Sequence, residues 1–173
     1  RETQSVFASA EIGYNHFLYL SLTARNDWDS ALAWSFGDQS FFYPSVGLSA
    51  LVSEVVKLPK WFTYLKARGS YTNVGTSYDP YSTRYYMTNE GSSTGSDYKP
   101  QDTRPRNDLK PEMTRSYEFG LNMKFLNNSL SLDATYYASQ TRNQTFQTID
   151  GGVEFNFKTI QTGRVDNSGI ELA

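Results

Sequence analysis

The 173-residue chain carries a formal net charge of -2, with 16 Lys and Arg against 18 Asp and Glu, and this mixed balance offers no basic field for nucleic acid to follow. It contains no cysteine, which excludes disulfides, thiolate metal sites and cysteine nucleophiles, and no run of eighteen apolar residues, which excludes a helical membrane span. Aromatics make up 16% of the sequence, with 13 Tyr and 11 Phe, an excess that belongs at interfaces because a tyrosine ring joins an apolar body to a wet tip.

Residues 3–13 alternate, with Val6, Ala8, Ala10 and Ile12 on one side and Phe7, Ser9 and Glu11 on the other. After the turn Tyr14-Asn15-His16 the pattern resumes over 18–25, Leu18, Leu20, Leu22 and Ala24 opposing Tyr19, Ser21, Thr23 and Arg25, so a hairpin is predicted. A polar loop follows at 26–40. Phe42, Pro44, Val46, Leu48, Ala50 and Val52 then mark a third strand, with Pro44 near its start, where a missing donor costs little. The connection 53–62 holds one predicted helical turn that Pro59 stops. The fourth strand, 63–72, sets Leu65, Ala67, Gly69 and Tyr71 against Tyr64, Lys66, Arg68 and Ser70. Residues 73–113 show no sustained periodicity and read as a long irregular loop.

The clearest geometry lies in residues 114–141. Tyr117, Phe119, Leu121, Met123 and Phe125 alternate with Glu118, Gly120, Asn122 and Lys124, and after Asn127-Asn128 the apolar set moves to Leu130, Leu132, Ala134, Tyr136 and Ala138, opposite Ser129, Ser131 and Asp133. Each arm is long for a soluble strand of about five or six residues, and near the roughly 9 to 11 that a tilted membrane-crossing strand needs. Residues 142–166 form another long connection, in which Phe155 and Phe157 alternate over a run, 153–157, too brief to assign as a strand, and 169–173 read as a strand just beginning, as in a segment of a longer protein.

The connections alternate short and long, as in an up-and-down outer-membrane barrel with short turns on one side and long external loops on the other. Charges avoid the apolar face: Leu18, Leu20, Leu22, Val46, Leu48, Leu65, Phe119, Leu121, Met123, Leu130 and Leu132 are predicted to face lipid, and Arg25, Lys66, Arg68, Glu118, Lys124 and Asp133 a lumen. Rings gather at the strand ends, with Tyr14, Phe17, Trp61, Phe62 and Phe125 at one rim and Trp28, Phe42 and Tyr136 near the other, as in an aromatic girdle. Six or seven strands are too few to enclose a lumen, so the predicted fold is all-β: antiparallel up-and-down strands forming a wall segment.

A series of phrases carries a resemblance to a family. They are Thr23-Ala24-Arg25-Asn26-Asp27-Trp28, Phe42-Tyr43-Pro44-Ser45, Leu65-Lys66-Ala67-Arg68-Gly69-Ser70-Tyr71, Leu109-Lys110-Pro111-Glu112, Ser116-Tyr117-Glu118 with Gly120-Leu121, residues 125–133, Thr135-Tyr136-Tyr137 and residues 167–172. In this order the chain resembles the carboxy-terminal barrel of the SusC/RagA-like TonB-dependent transporters of Bacteroidetes outer membranes. The resemblance implies a transmembrane barrel of about 22 strands, of which residues 1–173 are a part, with a plug and a TonB-contacting segment elsewhere. It also implies import of oligosaccharides or peptides, a SusD-like surface lipoprotein as lid, and TonB as the driver, with no enzymatic step and no cofactor.

Trp28, Tyr78, Tyr81, Tyr85, Tyr86 and Tyr98 are the loop residues suited to stacking on a ligand or meeting a partner, against the plainer reading of a self-packed loop. The lumen-side charges suit either polar substrate or pairing with one another, pairing being the default. Asp27, Asp29 and Asp38 share one loop, but their spacing fits no calcium loop and solvation is expected; the single His16 supports neither a triad nor a zinc site. Two other readings stay open: a passive barrel or adhesin, and a soluble carbohydrate-binding β-sandwich.

Overall fold

The computed structural model describes residues 2–32, 40–78, 82–92, 95–152, 155–161 and 163–173. The strands are β1 (Thr3–Tyr14), β2 (Leu18–Asp29), β3 (Ser40–Leu51), β4 (Phe62–Thr76), β5 (Met87–Ser92), β6 (Gly95–Pro100), β7 (Thr103–Arg104), β8 (Glu112–Phe125), β9 (Leu130–Arg142), β10 (Thr145–Ile149), β11 (Phe157–Gln161) and β12 (Arg164–Leu172). Seven of them form one antiparallel sheet in the order β1-β2-β3-β4-β8-β9-β12. Every neighbour in that sheet is the next long strand along the chain, so the topology is up-and-down. The sheet is open, with β1 and β12 as its edges.

Pairing register decides how the alternation of each strand adds to the next. Ala10 faces Leu22, Leu22 faces Val46 and Val46 faces Tyr71. Tyr71 faces Tyr117, Tyr117 faces Ala138, and one rung lower Phe119 faces Tyr136, which faces Ile170. Because side chains repeat with period two, a slip of one residue anywhere would throw a whole strand to the other side. No such slip occurs between β1 and β12 along the body of the sheet, and the predicted apolar sets fall on one continuous face. No second sheet of the described residues covers that face, and Val6, Ile12, Leu48, Phe119, Leu130 and Ile170 on it are exposed. A stacked pair of sheets burying these residues is therefore not what the chain forms, and the sandwich reading is set aside.

At the short-turn end the backbone is bent to requirement. Asn15 and His16 sit at φ 46° and 58°, and Leu126, Asn127 and Asn128 at 51°, 54° and 68°. Asparagine tolerates this left-handed region better than other side chains, which is why Asn127-Asn128 makes the β8–β9 turn. The turns are tied sideways, since Leu51 N–H donates to Phe17 O (2.7 Å) and Leu126 N–H to Trp61 O (2.9 Å). A bulge in β4 places Phe62 opposite Phe125 while Tyr64 already faces Lys124, leaving Thr63 unpaired. That extra residue swings Phe62 onto Phe125, with centroids 4.8 Å apart, and Trp61 stacks on both.

The strands run further than their alternation predicts. Asn26–Asp29 continue β2 rather than opening a loop, and Asn73–Thr76 continue β4. The 73–113 stretch is not irregular: it holds the β5–β6 hairpin and β7. In sequence its two arms, Met87–Ser92 and Gly95–Pro100, are mostly polar with no apolar alternation, so no period of two could be read. The helical turn expected within the connection 53–62 is a 3-10 turn at its very start, Val52–Glu54. In the 142–166 connection, β10 pairs with β11, and β11 pairs in parallel with β7. Of residues 153–157, Phe155 and Asn156 are not in a strand and Phe157 opens β11; 153 and 154 lie outside the described residues. The longer strands also bring charge to the apolar side at the long-connection end, where Arg115, Arg142, Arg164 and Asp166 follow the alternation of Tyr117, Ala138 and Ile170.

Glycines on the opposite, polar face sit under neighbouring side chains. A Cβ on Gly120 would lie well inside contact distance of the Arg68 guanidinium, and one on Gly169 would meet Tyr137 Oη at 2.6 Å, whereas on the apolar face Gly69 has nothing nearer than 3.9 Å. In the complete barrel, Gly120→Val is expected to cost about 1 to 3 kcal/mol by overpacking, lowering the temperature at which the heat-modifiable band shifts on a gel. Gly69→Ala should leave that temperature unchanged.

Candidate functional site

Two regions gather chemistry: the polar face of the sheet, and the end where the long connections meet. On the polar face, β4, β8 and β9 place Arg68 opposite Gly120 and Gly120 opposite Thr135. With no side chain on Gly120 to block it, Arg68 crosses β8 and reaches the next strand. Its guanidinium donates to both carboxylate oxygens of Asp133 (3.3 and 3.1 Å) and to Thr135 Oγ1 (2.8 Å), with Glu118 at 3.7 Å. Asn122 and Thr135 also donate to Asp133, at 3.0 and 3.2 Å. Arg68, Glu118 and Asp133 thus form one network spanning three strands. Lys124 lies apart from it, its ammonium 5.4 Å from the centre of the Tyr64 ring, and Lys66 sits in the row of Asn122 and Asp133.

Arg25 belongs to a second network. Its Nε donates to Asp27 (2.7 Å) and its other end to Ser5 (3.0 Å), while the Tyr43 hydroxyl donates to the second oxygen of Asp27. Asp29, one rung higher, accepts from Thr3 (3.2 Å), Ser77 (2.7 Å) and the Ala31 backbone N–H (2.9 Å). Asp27 and Asp29 are both buried. This corrects the expectation of solvated carboxylates: because β2 extends to Asp29, both side chains face donors from β1, β3 and the residues after β4. Asp38 lies outside the described residues, and among the described residues no three His, Asp or Glu side chains are placed to hold a metal ion.

Above these carboxylates lies a small apolar core. Leu32 is 0% and Leu109 1% exposed, packed with Ala31, Phe41 and Tyr78, with Tyr43 and Met113 against them. Leu32 enters through the 3-10 turn Ser30–Leu32 that Asp29 caps, and Phe41 stacks on Tyr43. Residues of the recurring phrases, Asp27, Tyr43 and Leu109, thus meet in one place. Nothing in the alternation of Leu109 or Leu32 marks them as core: Leu109 is a single apolar residue between polar ones, and Leu32 lies in a short run, Ala31-Leu32-Ala33-Trp34, that has no period of two.

The miniature sheet β10-β11-β7 is fastened to the main sheet by Gln161 and Asn143. Gln161 accepts from the Lys110 N–H (3.0 Å) and donates to the carbonyls of Lys110 (2.6 Å) and Asn143 (3.1 Å), while Asn143, at φ 60°, donates to Pro111 O (3.1 Å). Arg104 pairs with Asp150 at 2.8 Å and lies over Phe155, which meets the edge of Tyr85. Arg106 grips Asp108 through two hydrogen bonds (2.6 and 2.8 Å), which hold that carboxyl below its ordinary range. Between the two sheets lies a cavity of about 340 Å³, bounded by Thr76 and Glu112 on one side and by Phe146, Gln147 and Thr159 on the other.

The loop aromatics separate into distinct settings. Tyr78 is packed into the core, its hydroxyl donating to Leu109 O at 3.4 Å. Trp28 belongs to β2, half-exposed, facing Gln4 and Ser40. Tyr85 and Tyr86 are exposed just before β5, and Tyr98 is exposed on β6. Tyr81 lies outside the described residues.

A family model described as "TonB dependent receptor-like, beta-barrel" matches residues 1–173. Among solved structures, the chain is similar to the RagAB peptide importer, with 22% identity and a TM-score of 0.81 in its closed-closed state and 0.79 in its open-open state. Each match covers 98% of this chain and 19% of that one. The siderophore receptor PirA from Pseudomonas aeruginosa follows at 15% identity and a TM-score of 0.66, covering 98% of this chain and 30% of the receptor. The chain therefore spans well under half the length of the structures it matches. No curated protein matches it.

The loop core predicts its own sensitivity. In the complete protein Leu109→Ala should cost about 2 to 5 kcal/mol of local stability and expose the long connections to added protease. Ile149→Ala, at an exposed position, should leave the cleavage rate unchanged.

Proposed function

The chain belongs to the TonB dependent receptor-like β-barrel family, and on that premise we propose that it forms part of the wall of an active outer-membrane importer. The substrate is an oligosaccharide or a peptide. A SusD-like surface lipoprotein closes over the long-connection end, and TonB drives uptake through a segment beyond these residues. The lid, the TonB contact and the Bacteroidetes setting come from the family phrases; the passive barrel and the adhesin are the competing readings. No bond is made or broken in such a role, so no catalytic group is called for.

One observation carries the membrane part of this reading: an apolar face, free of charge below the Arg115, Arg142 and Arg164 level, runs across seven strands with no second sheet of the described residues over it. Nine residues from Tyr117 to Phe125, and nine from Leu130 to Ala138, bound the band, which suits strands tilted through a hydrocarbon core. Trp61, Phe62 and Phe125 stack at its lower border, where rings suit the headgroup layer. Arg115, Arg142 and Arg164 mark the upper one. The lipid-facing set is then Leu18, Leu20, Leu22, Val46, Leu48, Leu65, Phe119, Leu121, Met123, Leu130 and Leu132. Arg25, Lys66, Arg68, Glu118, Lys124 and Asp133 look inward, where charge is cheap because water or a plug is available to it.

In the full-length protein Leu132→Arg puts a cation against lipid at a cost of about 2 to 4 kcal/mol and should reduce assembled, heat-modifiable barrel, while Ser131→Arg on the inner face should assemble nearly as well as the parent. Equal assembly of the two would refute the facing. For the importer itself, a strain depending on this protein for growth on its nutrient should stop growing when TonB is depleted. Undiminished uptake without TonB would favour the passive barrel.

A further inference from the structure

We propose that Arg115, Arg142 and Arg164 form a phosphate site on the apolar face of β8, β9 and β12, and that its occupant is a phosphate-bearing lipid of the outer leaflet. The proposal rests on the membrane-wall reading and adds a ligand to it. Long connections of an outer-membrane barrel lie outside the cell, which puts these residues at the level of the outer headgroups. Arg142 on β9 stands directly opposite Arg164 on β12, and Arg115 on β8, opposite Gln140, lies diagonal to Arg142. Directly opposed residues have Cβ atoms about 5 Å apart and diagonal neighbours lie about 7 to 8 Å apart, so these long side chains reach a common headgroup. All three are exposed.

Like charges directly opposite one another repel, and the chain supplies too little negative charge here to offset them. Among the described residues Asp166 is the only acid on this face of β4, β8, β9 and β12. It accepts from Arg164 Nε through both oxygens (2.8 and 2.7 Å) and from the Gln140 amide (3.1 Å), whose oxygen in turn accepts from Arg142 Nε (2.7 Å). This relay fixes both arginines by their Nε groups and leaves their outer Nη groups without a partner among the described residues. Arg115 makes no hydrogen bond or ion pair with any described residue. A pair of parallel guanidinium N–H groups is the donor set that a phosphate takes.

Two further observations make the occupant a lipid rather than a free anion. Next to the arginines, toward the short-turn end, the same face carries Tyr117 and Phe119 on β8, Tyr136 on β9 and Ile170 on β12, all exposed. A molecule with phosphate at one end and an acyl chain at the other covers both parts, whereas inorganic phosphate leaves the rings bare. The cations are also local: this face of β1, β2, β3 and β4 carries no Lys or Arg at any height. A general attraction to headgroups would set a cation at the end of many strands; three on adjacent strands make a site.

The test uses the full-length receptor in detergent micelles, titrated with diphosphoryl lipid A, with the same lipid stripped of both phosphates, and with inorganic phosphate, bound lipid being read by native mass spectrometry. Lipid A should be retained, with apparent affinity falling about ten-fold in Arg142→Gln and about five-fold in Arg115→Gln as one charged contact is lost in each. It should be unchanged in Lys158→Gln, an exposed position on β11 away from this face. Because Arg115 has no bond to lose, its variant should assemble like the parent and keeps the measurement decisive if Arg142→Gln assembles poorly. Equal retention of the dephosphorylated lipid, displacement of lipid A by an equal concentration of inorganic phosphate, or retention indifferent to Arg115→Gln would each overturn the proposal. The wall reading fails separately, on whether Leu132→Arg impairs assembly.

Discussion

Everything in this structure depends on an unslipped hydrogen-bonded register across seven antiparallel strands. Alternation within one strand sorts only its own side chains. The ladder makes the sorting collective, so that Ala10, Leu22, Val46, Tyr71, Tyr117 and Ala138 lie in one row although they come from six separate strands. A sheet held this way needs no core of its own, because its two faces are designed for different surroundings. The one place where register does shift, at Phe62 and Tyr64, is at the border of the apolar band, where an added residue aims a ring without disturbing the rows above.

The polar face shows how such a surface is stabilised without burial. Arg68 is held by Asp133, Thr135 and Glu118 because Gly120 leaves a channel across the intervening strand. Surface ion pairs contribute little one at a time; several donors fixed on one carboxylate hold its geometry better. The Arg25, Asp27 and Tyr43 group repeats the arrangement higher up, where the strands give way to loops.

Legibility in the sequence followed how local the cause was. The hairpin of β8 and β9 was plain because both arms alternate for at least nine residues and the turn is Asn-Asn. The up-and-down order followed from the lengths of the connections. What escaped was everything imposed from elsewhere in the chain. From sequence alone the upper part of β2 reads as loop, since Asn26, Asp27 and Asp29 are polar, and only partners from other strands explain why Asp27 and Asp29 are extended and buried: Tyr43 on Asp27 and Ser77 on Asp29. The pairing of β7 with β11 joins residues more than fifty positions apart and leaves no periodic trace. The uncovered cavity beside Glu112 is equally silent, because its walls come from four separate strands.

The parallel contact of β7 with β11 joins the two longest connections, Thr103 and Arg104 in one and Phe157 and Lys158 in the other. Asp102 strengthens the joint by accepting from the N–H groups of Asn156 and Phe157, each at 3.0 Å. Two loops stitched together in this way cannot swing independently: whatever pulls on one drags its companion.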